Sequence, residues 1–338
     1  MSQETELFGS PTKNGKSDLN LIDLNVKDLK IAIKGGAISR PEARYLVDSY
    51  YQIQEYRKAS GNQIFSLEKE QSPFFVLQAI YLNLERLETH IRKILDYYSD
   101  STEIGLWAKS IIGIGPVISA GLQAYIDINK AKGAGAVWRI AGLDPSVEWL
   151  GKDRAEALVE KYEHLSNWNE RIIATFTEAN RKPDAYYAAL GNDKPTATNL
   201  TKYLAKRPWN AGLKVLAWKI GESFVKVSGN PKSLYGRLYV QRKQEEIDKN
   251  TQGLFAEQAA AILAKKKIGK STDAYKAYIQ GILPPAHIHA RAKRYATKMF
   301  LAHYFEALYH MTYQKEPPLP YAIEHLGHVH NITWREAS

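Results

Sequence analysis

Leu77, Ile80, Leu84, Leu87, Ile91, Ile94 and Tyr98 recur at alternating steps of three and four residues. That spacing puts all seven on one face of a helix, as an a/d seam requires, and no strand with its period of two can use it. Ser72 and Pro73 open the stretch, and Glu85, Arg86, Glu88, Arg92 and Lys93 flank it. A second helix is expected before it: Ser39 is a good N-cap, Pro41 falls in the first turn and Glu42 stands at the third helical position, with an end expected near Lys58. Two such helices can close on each other as an antiparallel hairpin within one chain. Leu77, Ile80, Leu84, Leu87, Ile91 and Ile94 equally suit a homodimer seam, and the pattern leaves both open.

The remaining chain repeats the helical theme. Val117–Ile126, Ala136–Ala141, Leu234–Asn250, Ala256–Ala264 and Ala286–Tyr313 carry helical periodicity, separated by Gly133-Ala134-Gly135, Gly142 and Pro284-Pro285. A stripe of Leu213, Leu216, Ile220, Phe224 and Val227 marks another helix. No strand alternation of any length and no βαβ order occurs. The expected fold is all-α, a helical hairpin or coiled coil followed by a helix-hairpin-helix and a basic helical domain. The expected divisions are a mobile polar segment (1–38), the helical hairpin (39–100), the helix-hairpin-helix (101–149), an inserted helical subdomain (150–205) and a basic domain with a His-rich end (206–338). The chain has no cysteine, which excludes disulfides, thiolate metal sites and cysteine nucleophiles. No apolar run reaches the roughly 18 residues a bilayer span needs, and residues 1–27 hold no secretory signal, so a cytoplasmic protein without membrane contact is expected.

Charge narrows the function. The net charge is +10, yet Thr201–Phe300 holds 20 Lys and Arg against 6 Asp and Glu, and the rest of the chain is slightly acidic. A basic excess confined to one segment is the footprint of nucleic-acid binding, against the plainer reading of a solvated surface. The candidate contacts are Lys206 and Arg207 at the start of this segment, Lys214 off the apolar stripe, and Arg291, Lys293, Arg294 and Lys298 on the last long helix. Of these, Arg291, Arg294 and Lys298 follow one face at i, i+3 and i+7.

A further candidate lies in Ile111-Ile112-Gly113-Ile114-Gly115-Pro116-Val117. One helix is expected to end in the Gly113-Ile114-Gly115 turn, and another to begin at once with Pro116, whose missing N–H is harmless there. Amides at such a helix start suit a phosphate; an ordinary αα-turn is the alternative.

Across Ser110–Pro145 the sequence resembles the C-terminal domain of the IS-one-ten family of insertion-sequence transposases. The matching positions are Gly113, Gly115, Pro116, Asp127, Ile128, Ala141, Gly142, Leu143 and Pro145. Lys206–Leu213 resembles a later basic segment of that family more loosely, and the helical pair before the hairpin resembles its coiled coil. The resemblance implies a DNA-handling protein, with branched or bent DNA as a ligand. It does not extend to the family's N-terminal catalytic domain, whose acidic residues sit on strands, because residues 1–100 read as helical. The family's serine nucleophile precedes a glycine shortly after the Gly-Leu-x-Pro signature; here the comparable glycine is Gly151, Leu150 precedes it, and Ser146 lacks that context. DNA binding without transposase chemistry is therefore the expectation.

Seven of the nine histidines lie in His287–His330. His325, His328 and His330 are candidate ligands of a divalent metal that could hydrolyse phosphodiesters, although they follow no fixed motif. His303 and His310 lie on an apolar helix and read as core residues; Asp127 and Asp144 read as turn residues. No nucleotide-binding phosphate loop is present. No cofactor and no catalytic residue is assigned. The expected partner is DNA, held mainly by its phosphate backbone. The alternatives are a nuclease or recombinase using the histidines or a partner's catalytic domain, an RNA-binding protein, and a coiled-coil scaffold.

Overall fold

The computed structural model describes Lys30, residues 38–318 and residues 333–336. Among them the backbone forms fourteen α-helices and a final 3-10 turn at Trp334–Glu336, with no strand. The chain divides into two compact units: one holds Met1–Lys109 with Gly115–Tyr125, and the other holds Ser110–Ile114 with Ile126–Ser338. The division runs through the Gly113–Gly115 turn. Residues 101–149 are thus divided between the two units.

In the first unit, α1 (Arg40–Lys69) and α2 (Phe75–Asp100) form the intrachain hairpin. Ser39 caps α1 by accepting the Glu42 N–H, with Pro41 in the first turn, as expected. The helix runs on well past Lys58. Gly61, a weak helix former within it, faces the Tyr81 ring so closely that a Cβ there would lie 3.2 Å from it. The seam divides in two. Ile91, Ile94 and Leu95 are buried against α1 and α4 (Pro116–Tyr125), among Leu46, Val47, Val117 and Ala120. Leu77, Leu84 and Leu87 are only half-buried and Ile80 is 50% exposed, so the upper half of α2 presents an apolar groove of ≈ 290 Å³. Four cations of this unit are committed internally. Arg40 and Arg44 donate to the carbonyls of Gln123 and Ala124 at the C-terminal end of α4, where the helix dipole favours positive charge. Arg57 pairs with the buried Glu88 at 2.6 Å, and Lys109 pairs with Asp96 and Asp100.

After α2, α3 (Glu103–Ser110) leads along the chain into the turn. The second unit then contains α5 (Ala134–Ile140), α6 (Gly151–Lys161), α7 (Trp168–Glu178), α8 (Asp184–Leu190), α9 (Ala197–Ala205), α10 (Ala211–Lys226), α11 (Leu234–Thr251), α12 (Ala256–Lys265), α13 (Asp273–Ile279) and α14 (Pro285–Tyr313). Residues 150–205 pack a core of their own from Ala155, Val159, Ile172, Phe176, Tyr186, Leu200 and Leu204, within the larger unit. The main core gathers on α14, which α5, α10 and α11 cover. Its second half is apolar nearly all round, and Phe300, Leu301, Tyr304 and Phe305 are accordingly buried. Phe224 and Tyr235 stack at 4.9 Å, with Phe300 edge-on to Tyr235 at 5.2 Å. No described helix is long and apolar enough to cross a membrane.

Candidate nucleic-acid interface

The end of α5 and the start of α10 are tied together: Asn210 donates its N–H to the Ile140 carbonyl, and its side chain caps α10 by accepting from Leu213 N at 2.9 Å. Between these anchors runs the Ala141–Pro145 signature. Gly142 has φ +66°, and a Cβ there would lie 2.9 Å from both Trp209 and the Lys214 stem. Only glycine accepts both the conformation and the approach. The turn thereby seats Trp209, over whose ring the Lys214 ammonium lies at 3.7 Å. On α5, Trp138 donates its indole N–H to the Lys298 carbonyl at 2.8 Å, while the Lys298 ammonium lies 4.2 Å from the Trp138 ring centre. Trp149 is fixed by an indole hydrogen bond to the Ala205 carbonyl, and Arg207 lies over its ring at 4.9 Å. Lys206 lies 5.9 Å from the Tyr203 ring. Four cations are thus each set on an aromatic face, worth about 0.5–2 kcal/mol apiece depending on desolvation.

None of Lys206, Arg207, Lys214, Arg294 and Lys298 forms an ion pair with a described carboxylate. Arg207, Lys214, Arg294 and Lys298 act on one another instead. Partial burial, then the charges of Arg207 and Arg294, holds the Lys214 ammonium below the usual lysine range. Burial also lowers Lys298, with Arg294 adding to the effect and Asp144 partly opposing it. Arg294 is lowered by burial and by Arg291, against a smaller opposing influence of Glu246. Like charges held together in this way gain from an anion that touches several at once.

The other sequence-predicted contacts are placed differently. Arg291 does not join Arg294 and Lys298: its guanidinium donates to the fully buried Glu246 and to Gln258, and stacks on Phe255. Arg242 holds the second side of Glu246, at 2.5 Å. Burial pushes the Glu246 carboxyl up, but the two guanidiniums outweigh this and keep it below the usual range. Lys293 pairs with Glu222 and is 13% exposed at its side chain. Helical spacing gave these two cations a face, and a carboxylate on another helix took them out of it. In the turn, the Ile114 side chain is buried and its N–H already serves the Ile111 carbonyl. Gly113 has φ +104°; its carbonyl accepts the Ser223 hydroxyl, and Phe224 and Val227 close off the space a Cβ would need. Gly115 belongs to the other compact unit. Gly113 and Ile114 serve packing and turn closure, while a Cβ at Gly115 would meet nothing within 4 Å.

The histidines at the start of α14 serve tyrosines. The His287 ring shares a hydrogen bond with Tyr278, and His289 with Tyr239; burial is the main cause that lowers both imidazoles. His303 is buried against the Tyr235 hydroxyl at 2.7 Å. His325, His328 and His330 lie outside the described residues, and among the described residues no group of three His, Asp or Glu is placed to hold a metal. Asp144 accepts the hydroxyl and N–H of Ser146, closing a turn, and Asp127 accepts the Asn129 N–H in another.

Beside the cluster lies a cleft of ≈ 960 Å³ whose lining holds Arg139, Arg181, Lys182, Lys206 and Arg207 and no carboxylate. Arg139, Arg181, Lys182 and the tryptophans were not singled out from sequence. The available signal was the adjacency of cation and ring, in Trp138-Arg139 and Lys206-Arg207-Pro208-Trp209. No family model, curated protein or solved structure matches this chain.

Proposed function

We propose that the protein binds nucleic acid through its phosphate backbone, with Lys206, Arg207, Lys214, Arg294 and Lys298 as the contacting cations. The observation that carries this reading is their arrangement: five cations without a described carboxylate partner, four resting on aromatic faces. Cations held this way lose little side-chain freedom when a phosphate arrives, and their mutual repulsion falls at the same moment. Backbone contact of this kind is largely indifferent to sequence. DNA is the ligand favoured by the likeness of Ser110–Pro145 to a transposase domain, branched or bent DNA included, and that likeness is also what supports a place in DNA recombination.

The test is the affinity for a labelled DNA duplex, with a four-way junction in parallel, measured by anisotropy over a range of salt. Five phosphate contacts predict a log–log slope near −4.5, at about 0.9 per contact. No binding at low salt, or binding that ignores salt, would overturn the reading.

A further inference from the structure

The cleft beside the cation cluster has a chemistry of its own. All of its lining lies in the second unit, between the end of α5, helices α7 to α9 and the start of α10. Lys182, Lys206 and Arg207 are exposed. Arg181 is anchored by donating to the Leu204 and Glu148 carbonyls, and burial lowers its pKa from the usual arginine value. Between these cations the lining holds apolar and aromatic side chains, Ile140, Val147, Tyr203, Pro208 and Trp209, interrupted by Thr177, Asn180 and Asn210. Phosphate alone has no use for such a floor, and a purely apolar ligand has none for the cations.

A ligand that matches both carries anionic groups along one edge and flat apolar faces beside them. A paired duplex does not: its bases are stacked on each other, and its width keeps it at the rim of a cleft this size. Unpaired nucleotides do, because their bases are free to lie on aromatic or apolar surface while the phosphates meet the cations. A cleft of ≈ 960 Å³ also falls within the range of about 300–1,000 Å³ typical of ligand sites.

We propose that the cleft bounded by Lys182, Lys206 and Arg207, with Tyr203 and Trp209 in its lining, takes unpaired nucleotides of a single strand. This rests on the nucleic-acid reading above and adds to it the form of the ligand. DNA and RNA share the chemistry required, so both are tested.

The experiment compares single-stranded DNA, single-stranded RNA, blunt duplex DNA and an abasic DNA strand, all of equal length, in anisotropy titrations at one salt concentration. Ala185 lines the cleft and is exposed on α8, so Ala185→Trp occupies part of the cleft without removing any cation of the cluster. The wild type is expected to bind at least one natural single strand about tenfold tighter than the abasic strand, the gain of one well-stacked base. The Ala185→Trp variant, with unchanged circular dichroism and melting, is expected to lose that margin and keep its duplex affinity. Equal affinity for natural and abasic strands, or a margin that survives Ala185→Trp, overturns the inference while duplex binding still upholds the reading beneath it. A protein that binds none of the four overturns both. If the tryptophan disturbs folding, Ala185→Leu gives the same test with a smaller side chain and no change of charge.

Discussion

Two regions of the second unit hold cations in opposite ways. Around Glu246, Arg242 and Arg291 close on a carboxylate with no exposure to water, and the charge is consumed inside the fold. Around Trp138 and Trp209, Lys298 and Lys214 rest on rings, with Arg207 and Arg294 near enough to depress the Lys214 ammonium. Both regions draw on α14, where Arg291 and Arg294 are one turn apart. Basic residues so close in sequence thus do unrelated work, and the difference lies in where the carboxylates sit. A count of positive charge says that a segment can attract a polyanion; only the counter-charges say which residues remain to do it.

The sharpest break in the comparison is the removal of Arg291. Arg291→Ala leaves Glu246 half-paired with no water to turn to, and is expected to cost about 4 kcal/mol in denaturant unfolding at an unchanged m-value. An effect below about 1 kcal/mol would show that the triad is not what holds α11 to α14. A second carboxyl tests the same idea from the other side. Glu306 is nearly as buried as Glu246 but has no described cation partner, and burial pushes it up to about 7 from an ordinary 4.5, against a backbone hydrogen bond from Trp334. The folded chain therefore holds a proton that the unfolded chain releases, so stability is fullest below 4.5 and falls as pH rises through 7. Glu306→Gln is expected to remove this loss, gaining up to roughly 3 kcal/mol at alkaline pH and almost nothing at pH 4. Parallel stability–pH curves for the two proteins would contradict it. Within the cation cluster, Lys214→Gln and Lys298→Gln are each expected to change stability by less than about 1 kcal/mol and to flatten the salt dependence of DNA binding by about one contact. The smallest effect belongs to an exposed pair on the same unit: Arg154→Ala, which breaks a 2.7 Å contact to Glu148, is expected to shift stability by no more than about 0.5 kcal/mol.

Much of the fold was legible because its signals are local. Ser39, Pro41, Gly142 and Pro284 punctuate helices where they stand, and a three-four apolar rhythm states which face is buried without reference to any partner. The upper half of the α2 seam shows the limit of that rhythm: Ile80 keeps the register of Ile91 and Ile94 but stays half-exposed, since the face it needs is not covered there. The candidate site was less legible for the same reason. Arg291 and Arg294 have the same local setting, and what separates them is Glu246, 45 residues from Arg291 in the chain. Trp209 and Lys214 meet only because Gly142 lets the turn come close, and Trp138 meets Lys298 across 160 residues. Contacts of this reach leave no periodic trace.

The central claim is that the cluster of cations without ion-pair partners among the described carboxylates, and not the basic segment as a whole, holds the phosphates. Its most direct test is the salt slope of DNA binding for two variants of equal charge. One carries Lys214→Gln, Arg294→Gln and Lys298→Gln; the other carries Lys249→Gln, Lys267→Gln and Lys270→Gln, three exposed residues elsewhere in the segment. The first slope is expected to flatten by about 2 to 3, while the second stays within about one contact of the wild type. Equal flattening in both variants would contradict the account, since the charge alone would then be what binds.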